Sequence, residues 1–202
     1  QTCALPISSD TERRHVLFVG RLLPHKGVDV LLEAMPDAMP ATVFGPAYDA
    51  RYLADLQRVA RGKRVTFVHG GSDAQLLQAY REATCVVLPS VYTDMYGRHT
   101  TVPELLGQAL LEGMACGAPA ICTSVASLPE IVQHEETGLI VPPNDAPALR
   151  RALEALHTSP ARASAMGAAA RRSVVERFTW PVVVDRCLAL YGWPAHEARE
   201  AA

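Results

Sequence analysis

Glu104-Leu-Leu-Gly-Gln-Ala-Leu-Leu-Glu112 is the stretch around which the chain is organised. Two glutamates flank Gly107 and an otherwise helix-forming run. A loop from Pro89 to Pro103 comes before it. Gly113-Met-Ala-Cys-Gly-Ala-Pro119 follows, a helix stop leading into the apolar Ala118-Pro-Ala-Ile-Cys122. The pattern predicts a helix that begins near Gly107. Its N-terminus offers free N–H groups and the positive end of the macrodipole, a place suited to a phosphate. Glu104 then lies before the helix, at the mouth of a site. Glu112 lies one to two turns inside, lower on the wall. Taken alone, the two also read as an N-terminal charge and a solvated helix residue.

Outward from this stretch, strand and helix patterns alternate. His15 to Gly20 is an apolar run that predicts a buried parallel strand. A turn-rich loop, Arg21 to Gly27, leads to helical spacing over Val28 to Met35. Ala41 to Gly45, Arg64 to Val68, Cys85 to Leu88, Pro119 to Cys122 and Gly138 to Val141 read as further strands. Between them, helices are predicted over Asp49 to Arg61, Ala74 to Ala83 and Leu128 to Val132, with Asp49 and Ser72-Asp73 as caps. Asn144-Asp145 caps a helix to His157, and Arg162 to Phe178 and Val182 to Tyr191 close the chain. This alternation predicts an α/β fold, a Rossmann-like doubly wound parallel sheet of about six strands. One domain is expected over 15–192, with a short segment 1–14 before it and a tail 193–202 after it. The first eight residues read either as the edge of a truncated frame or as a linker.

Composition narrows the function classes. The chain has 202 residues, enough for one domain with a core and few for two. Its net charge of −2 gives no electrostatic case for nucleic acid or anionic membrane. No apolar run reaches the roughly 18 residues of a membrane-spanning helix. The five cysteines are odd in number and lack CxxC spacing, which fits reduced, buried thiols and a cytoplasmic location.

Ligands of such sheets bind beyond the carboxyl ends of the strands. Three loops with chemistry leave those ends: Arg21 to Gly27, His69 to Asp73, and Pro89 to Gly107. They meet in one crevice only under a suitable strand order. Arg21 can grip a phosphate through two N–H bonds, and Lys26 adds a mobile point charge. With the Gly107 helix facing them, the set would hold a diphosphate without a metal. There is no DxD pair, no metal-ligand spacing among the seven histidines, no Walker loop and no GxGxxG fingerprint. The missing fingerprint excludes a Rossmann oxidoreductase.

Gly20-Arg21-Leu22 with Lys26-Gly27, the Glu104-x7-Glu112 element containing Gly107, and Gly113 to Pro119 together resemble the retaining glycosyltransferases of family 4. Leu128-Pro-Glu-Ile, Gly138 to Pro143 and Phe178-Thr-Trp180 continue the resemblance in order. It covers residues 15 to 192 and implies the C-terminal, donor-binding half of a GT-B architecture, with the N-terminal acceptor domain missing. The implied activity is metal-independent, configuration-retaining hexosyl transfer from a nucleotide-diphosphate sugar, with no cofactor. A non-catalytic nucleotide-sugar-binding module is the alternative. The resemblance further implies that Arg21 and Lys26, beside Gly20, contact the diphosphate. Backbone N–H groups around Gly107, Gln108 and Ala109 would bind sugar and phosphate oxygens. Glu112 would take the ribose hydroxyls, and Glu104, the catalytic candidate, would meet the transferred sugar. Three departures stand out: Leu106 where the family often has phenylalanine, His69-Gly70-Gly71 in place of Phe-x-Gly, and a long segment from Val91 to Val102. The second leaves the base open. The third reads either as part of the sugar pocket or as a surface flap.

Overall fold

A computed structural model of the chain describes residues 13–193. Strands β1 (His15–Val19), β2 (Ala41–Phe44), β3 (Val65–Val68), β4 (Ala83–Leu88), β5 (Ala120–Thr123) and β6 (Gly138–Val141) form one sheet in the order β3-β2-β1-β4-β5-β6. All pairings between these strands are parallel. Between and after them run α1 (Val28–Ala34), α2 (Ala50–Val59), α3 (Asp73–Glu82), α4 (Gln108–Ala115), α5 (Leu128–Ile131), α6 (Ala146–His157), α7 (Pro160–Arg177) and α8 (Trp180–Leu190). This is the doubly wound Rossmann-like sheet that the alternation predicts. Of the expected flanking segments 1–14 and 193–202, residues 1–12 and 194–202 lie outside the described residues.

Burial follows position in the sheet. Leu17, Phe18, Val86, Val87 and Ile121, on the interior strands β1, β4 and β5, are fully buried. Each such side chain contributes roughly 1.5–3 kcal/mol by leaving water. The edge strand β3 is only half-buried, with Thr66 exposed. The caps read from sequence at Asp49, Ser72 and Asp145 are in place. The Asp49 carboxylate accepts from the N–H groups of Arg51 and Tyr52 at 2.9 and 3.1 Å. Ser72 and Gln75 form a capping box. Asp145 accepts from the Ala148 N–H at 2.8 Å.

Some boundaries differ. β4 begins at Ala83, two residues before Cys85, because Ala83 already pairs with His15 of β1. α7 and α8 each begin two residues early, at Pro160 and Trp180, with a proline in the first turn, where its missing N–H costs nothing. Asn144 is not a cap. It sits at φ 58°, and Asp145 alone caps α6. Cys85, Cys116 and Cys122 are buried, and burial pushes the Cys85 and Cys122 thiols up to about 12. Cys187 departs from the expectation: it is exposed, because α8 buries none of its residues.

The placement of α4 depends on absent side chains. A Cβ on Gly113 would lie 2.3 Å from Val86 Cγ2, so α4 settles directly on β4. A Cβ on Gly167 would lie 2.1 Å from the Gly117 carbonyl oxygen, so α7 closes against the end of α4. Two cations finish that end, as its negative pole favours. Arg171 donates to the Ala115 carbonyl, and Arg13 donates to the Gly117 and Ala83 carbonyls, each at 2.6 Å. Gly113→Ala should therefore overpack the β4–α4 contact and destabilise by about 1–3 kcal/mol. Thermal denaturation should show a fall of about 2–12 °C, at roughly 2–4 °C per kcal/mol for a chain of this size. An unchanged melting temperature would mean that β4 and α4 separate freely.

Candidate functional site

β1 and β4 are neighbours, and their connections leave toward opposite edges of the sheet. This is the topological switch point, where open α/β sheets form a ligand crevice. The loop after β1 passes Arg21 and Leu22 into a short 3-10 turn, Pro24–Lys26, which ends at Gly27 with φ 65°. A Cβ on Gly27 would stand 2.0 Å from the Pro89 carbonyl oxygen, so only glycine lets this loop lie on the loop after β4. The Val91 N–H donates to the His25 carbonyl at 2.9 Å and ties the two loops together.

That contact decides the fate of Lys26. Its Nζ donates to the Pro103 carbonyl at 3.3 Å and forms an ion pair with Glu104 Oε1. The two side chains are only 14% and 7% exposed. Glu104 is therefore not at the open mouth, as its place in the sequence suggests. It is buried beneath the mouth, whereas Leu105, 85% exposed, and Leu106 and Val102 form the rim. Glu112, expected lower on the wall, is the more exposed carboxylate. Helix periodicity explains this: Leu110, Gly113 and Met114 take the inward positions of α4.

Gly107 begins α4 in the left-handed region, φ 70° and ψ 46°, and a Cβ there would meet Leu128 Cδ2 at 2.7 Å. No side chain caps this helix, and its first turn carries neither an acid nor a proline. Among the described helices only α4 combines these features. Side chains cap α2, α3 and α6. Prolines start α5, α7 and α8. The first turn of α1 holds buried Asp29, whose carboxylate also accepts from the Tyr52 hydroxyl at 2.7 Å and which burial pushes above the usual carboxylate range. The N–H groups near Gly107, Gln108 and Ala109 thus face the crevice uncapped.

Arg21 is exposed on the same loop as Lys26, just beyond Gly20. Gly20 also receives its neighbour strand: a Cβ on Gly45 would lie 1.9 Å from the Gly20 carbonyl oxygen. The His69 loop leaves the edge strand β3, two positions from β1, so the three loops do not form one tight cluster. The His69 ring stacks on Phe67 at 6.1 Å between centroids, and its Nδ1 lies 3.2 Å from the Gly45 carbonyl, covering the sheet edge.

The Val91–Val102 segment is anchored on the protein. The Tyr96 hydroxyl donates to Asp55 of α2 at 2.6 Å, and the Arg51 and Arg98 guanidinium groups lie 4.6 and 5.1 Å from its ring centre. Buried Asp94 accepts from the N–H groups of Tyr96 and Arg98 at 2.9 and 3.0 Å. The Tyr92 hydroxyl accepts from the Ala126 N–H at 2.9 Å, and Asn144 donates to the Thr93 carbonyl at 3.1 Å.

One partner was missed by motif reading. The Tyr80 hydroxyl, on the buried face of α3, donates to Glu112 Oε2 at 2.7 Å. The signal available was a tyrosine at an inward helical position, whose hydroxyl needs a partner when buried. Among the described residues no three histidines, cysteines or carboxylates lie close enough to hold a metal ion. No described helix is long and apolar enough to cross a membrane. A depression of about 230 Å³ between Gln133, Thr137, Arg172, Ser173 and Arg177 lies by the residue that precedes β6, at the opposite end of the strands from this crevice.

A crevice at the switch point of a Rossmann-like sheet is a ligand-binding arrangement, and comparison with known proteins gives the family. The family model for glycosyl transferases group 1 matches residues 6–173, and the chain belongs to that family. The GDP-mannose-dependent alpha-(1-6)-phosphatidylinositol monomannoside mannosyltransferase of Mycolicibacterium smegmatis is 32% identical over 197 residues, covering 94% of this chain and 50% of the relative. The solved sucrose-phosphate synthase of Thermosynechococcus elongatus superposes with TM-score 0.72 at 32% identity, over 98% of this chain and 47% of that one. The Anabaena protein HepE, solved in complex with UDP-glucose, gives TM-score 0.73 at 20% identity over 94% of this chain and 49% of its own, a likeness of fold. The chain thus spans about half the length of these relatives and has the GT-B type of fold, in its C-terminal-like domain.

The buried pair yields a stability test. Lys26→Met leaves Glu104 as an uncompensated buried charge, which should cost about 3–5 kcal/mol. Adding Glu104→Gln should recover most of that loss. Denaturant titration of the two variants checks it, and equal stabilities would show that Glu104 reaches water.

Proposed function

We propose that this chain is the donor-binding domain of a family 4 retaining glycosyltransferase, and that it takes a nucleotide-diphosphate sugar without a metal. The observation that carries the reading is α4: its uncapped N-terminus opens at the switch point, with Lys26 and Arg21 on the adjoining loop. The site offers fixed positive potential where a diphosphate would lie. Lys26 and Arg21 would hold the phosphate oxygens beside Gly20. The N–H groups around Gly107, Gln108 and Ala109 would hold phosphate and sugar oxygens. Glu112, with Oε2 fixed by Tyr80, keeps Oε1 for a ribose hydroxyl. Glu104 would accept from a sugar hydroxyl near the reacting carbon.

The chemistry follows from where charge develops. As the glycosidic bond to the diphosphate breaks, the leaving nucleotide gains negative charge on its terminal phosphate. Preorganised cations and a helix N-terminus stabilise that charge without reorganising. The sugar's transferred carbon becomes electron-poor, and the Glu104 carboxylate is the nearby group able to stabilise it. Hexosyl transfer to an acceptor needs a second surface. The exposed rim of Val102, Leu105 and Leu106 and the half-length match to relatives support an acceptor-binding domain as that partner. The names of the relatives, GDP-mannose in one and UDP-glucose in another, leave the base open.

Calorimetry with UDP, GDP and ADP should show binding that survives EDTA. Glu112→Ala should weaken it by at least about tenfold, since one charged hydrogen bond is worth roughly 1.5–3 kcal/mol and 1.4 kcal/mol is a factor of ten. Binding restored only by magnesium would remove the metal-free reading. An unchanged affinity in the variant would leave Glu112 as helix surface.

Residues 1–202 should bind donor yet transfer almost no sugar, compared with the same protein extended to its natural start. Holding two substrates together can supply on the order of 7–11 kcal/mol of the barrier. Comparable turnover by the two proteins would show that this domain suffices.

A further inference from the structure

We infer that Glu104, through its ion pair with Lys26, makes the crevice select an intact nucleotide sugar over the bare nucleoside diphosphate; the inference rests on the donor-binding reading above. The pair is enclosed, with the Lys26 side chain 14% and the Glu104 side chain 7% exposed. Lys26 is the donor the structure places on Glu104, and it contacts one carboxylate oxygen, Oε1. An ammonium has three N–H donors. One serves Glu104, one serves the Pro103 carbonyl, and one remains for a ligand phosphate.

A diphosphate brought to Lys26 and to the start of α4 sets new negative charge beside the buried Glu104 carboxylate. It also draws on the ammonium that neutralises that carboxylate. Bare nucleoside diphosphate brings only acceptors at this end, so it leaves Glu104 short of donors in a place where water hardly reaches. A buried charge deprived of its partner is strongly unfavourable. A nucleotide sugar brings hydroxyl groups on the far side of its diphosphate. One hydroxyl donating to Glu104 Oε2 replaces the share of Lys26 that the phosphate takes. The ligand then completes a chain from sugar hydroxyl to Glu104 to Lys26 to phosphate. Arg21, exposed on the same loop, adds affinity for either ligand and does not discriminate. Once the sugar has been transferred, the remaining nucleotide is the disfavoured ligand, which promotes its release. The same carboxylate thus sets donor specificity and helps to clear the product.

The test is calorimetric, with four pairs: UDP and UDP-glucose, UDP and UDP-N-acetylglucosamine, GDP and GDP-mannose, ADP and ADP-glucose. In the unaltered chain, the best-bound sugar nucleotide should bind about tenfold or more tightly than its own nucleotide, a difference of ~1.4 kcal/mol. In Glu104→Gln that ratio should fall toward one, chiefly because the bare nucleotide binds several-fold more tightly. Circular dichroism confirms that the variant is folded. The inference is overturned if Glu104→Gln weakens both ligands alike, or if the ratio does not move. It is also overturned, with no variant needed, if the unaltered chain binds every bare nucleotide as tightly as its sugar form. If none of the ligands binds, the donor-binding reading itself fails, and this inference with it.

Discussion

The Gly27 backbone lies so close to the Pro89 carbonyl that no side chain fits between them, and the rest of the site hangs on that approach. Strand order makes it possible, because β1 and β4 are adjacent although far apart in sequence. Glycine makes it real, because Gly27 also needs φ 65°, which other residues adopt at a cost. With the two loops in contact, Lys26 reaches across to Glu104 and Pro103. The ion pair then holds the turn before Gly107, and Gly107 aims α4 at the crevice. A separate set of small residues, Gly113 and Gly167, seats the body of α4 between β4 and α7. Position and direction of the helix are thus set by different contacts.

The fold was readable because apolar runs and caps are local signals. Asp49, Ser72 and Asp145 mark helix starts whatever the strand order, and the runs at Leu17 and Val86 mark central strands by being apolar throughout. The site was readable as a set of residues but not as an arrangement. Arg21, Lys26, Glu104, Gly107 and Glu112 are visible as chemistry in the sequence. That Lys26 pairs with Glu104 is a long-range contact, and no periodicity carries it. Which glutamate is buried was misread for the same reason. Glu104 lies in a loop, where burial depends on what packs over it, here the Lys26 turn. His69 is the converse case: its loop leaves an edge strand, so it covers the sheet on Phe67 and Gly45 and does not join the Lys26 cluster.

The long Val91–Val102 segment shows how a loop without secondary structure of its own is held. Its tyrosines do the anchoring, each through both ring and hydroxyl. Tyr96 lies edge-on to Tyr52 at 6.3 Å while its hydroxyl binds Asp55. Tyr52 in turn binds Asp29 at the start of α1. A continuous path of contacts therefore runs from this loop through α2 to the helix that follows Lys26. Phenol pairs of this kind combine ring burial with a satisfied polar end. The path braces the Lys26 turn from behind, while Glu104 holds it in front.

The start of α4 is where local stability and ligand access pull in different directions. A serine or aspartate at the cap position would satisfy one of the free N–H groups from within the chain, as in α2, α3 and α6. It would also occupy the donors that a phosphate needs, and aspartate would set a charge against it. Glycine at a cap costs only a few tenths of a kcal/mol relative to those residues, because the N–H groups stay open to water. At position 107 no other residue fits easily, since the backbone is left-handed and Leu128 closes the space a Cβ would take. The same residue therefore satisfies packing below and leaves the donors uncovered above. This explains why α4 alone, among the described helices, begins with neither cap, proline nor acid. The departure from ordinary helix design falls at the crevice, where the proposed donor phosphate would lie, and departures of this kind are expected at functional sites.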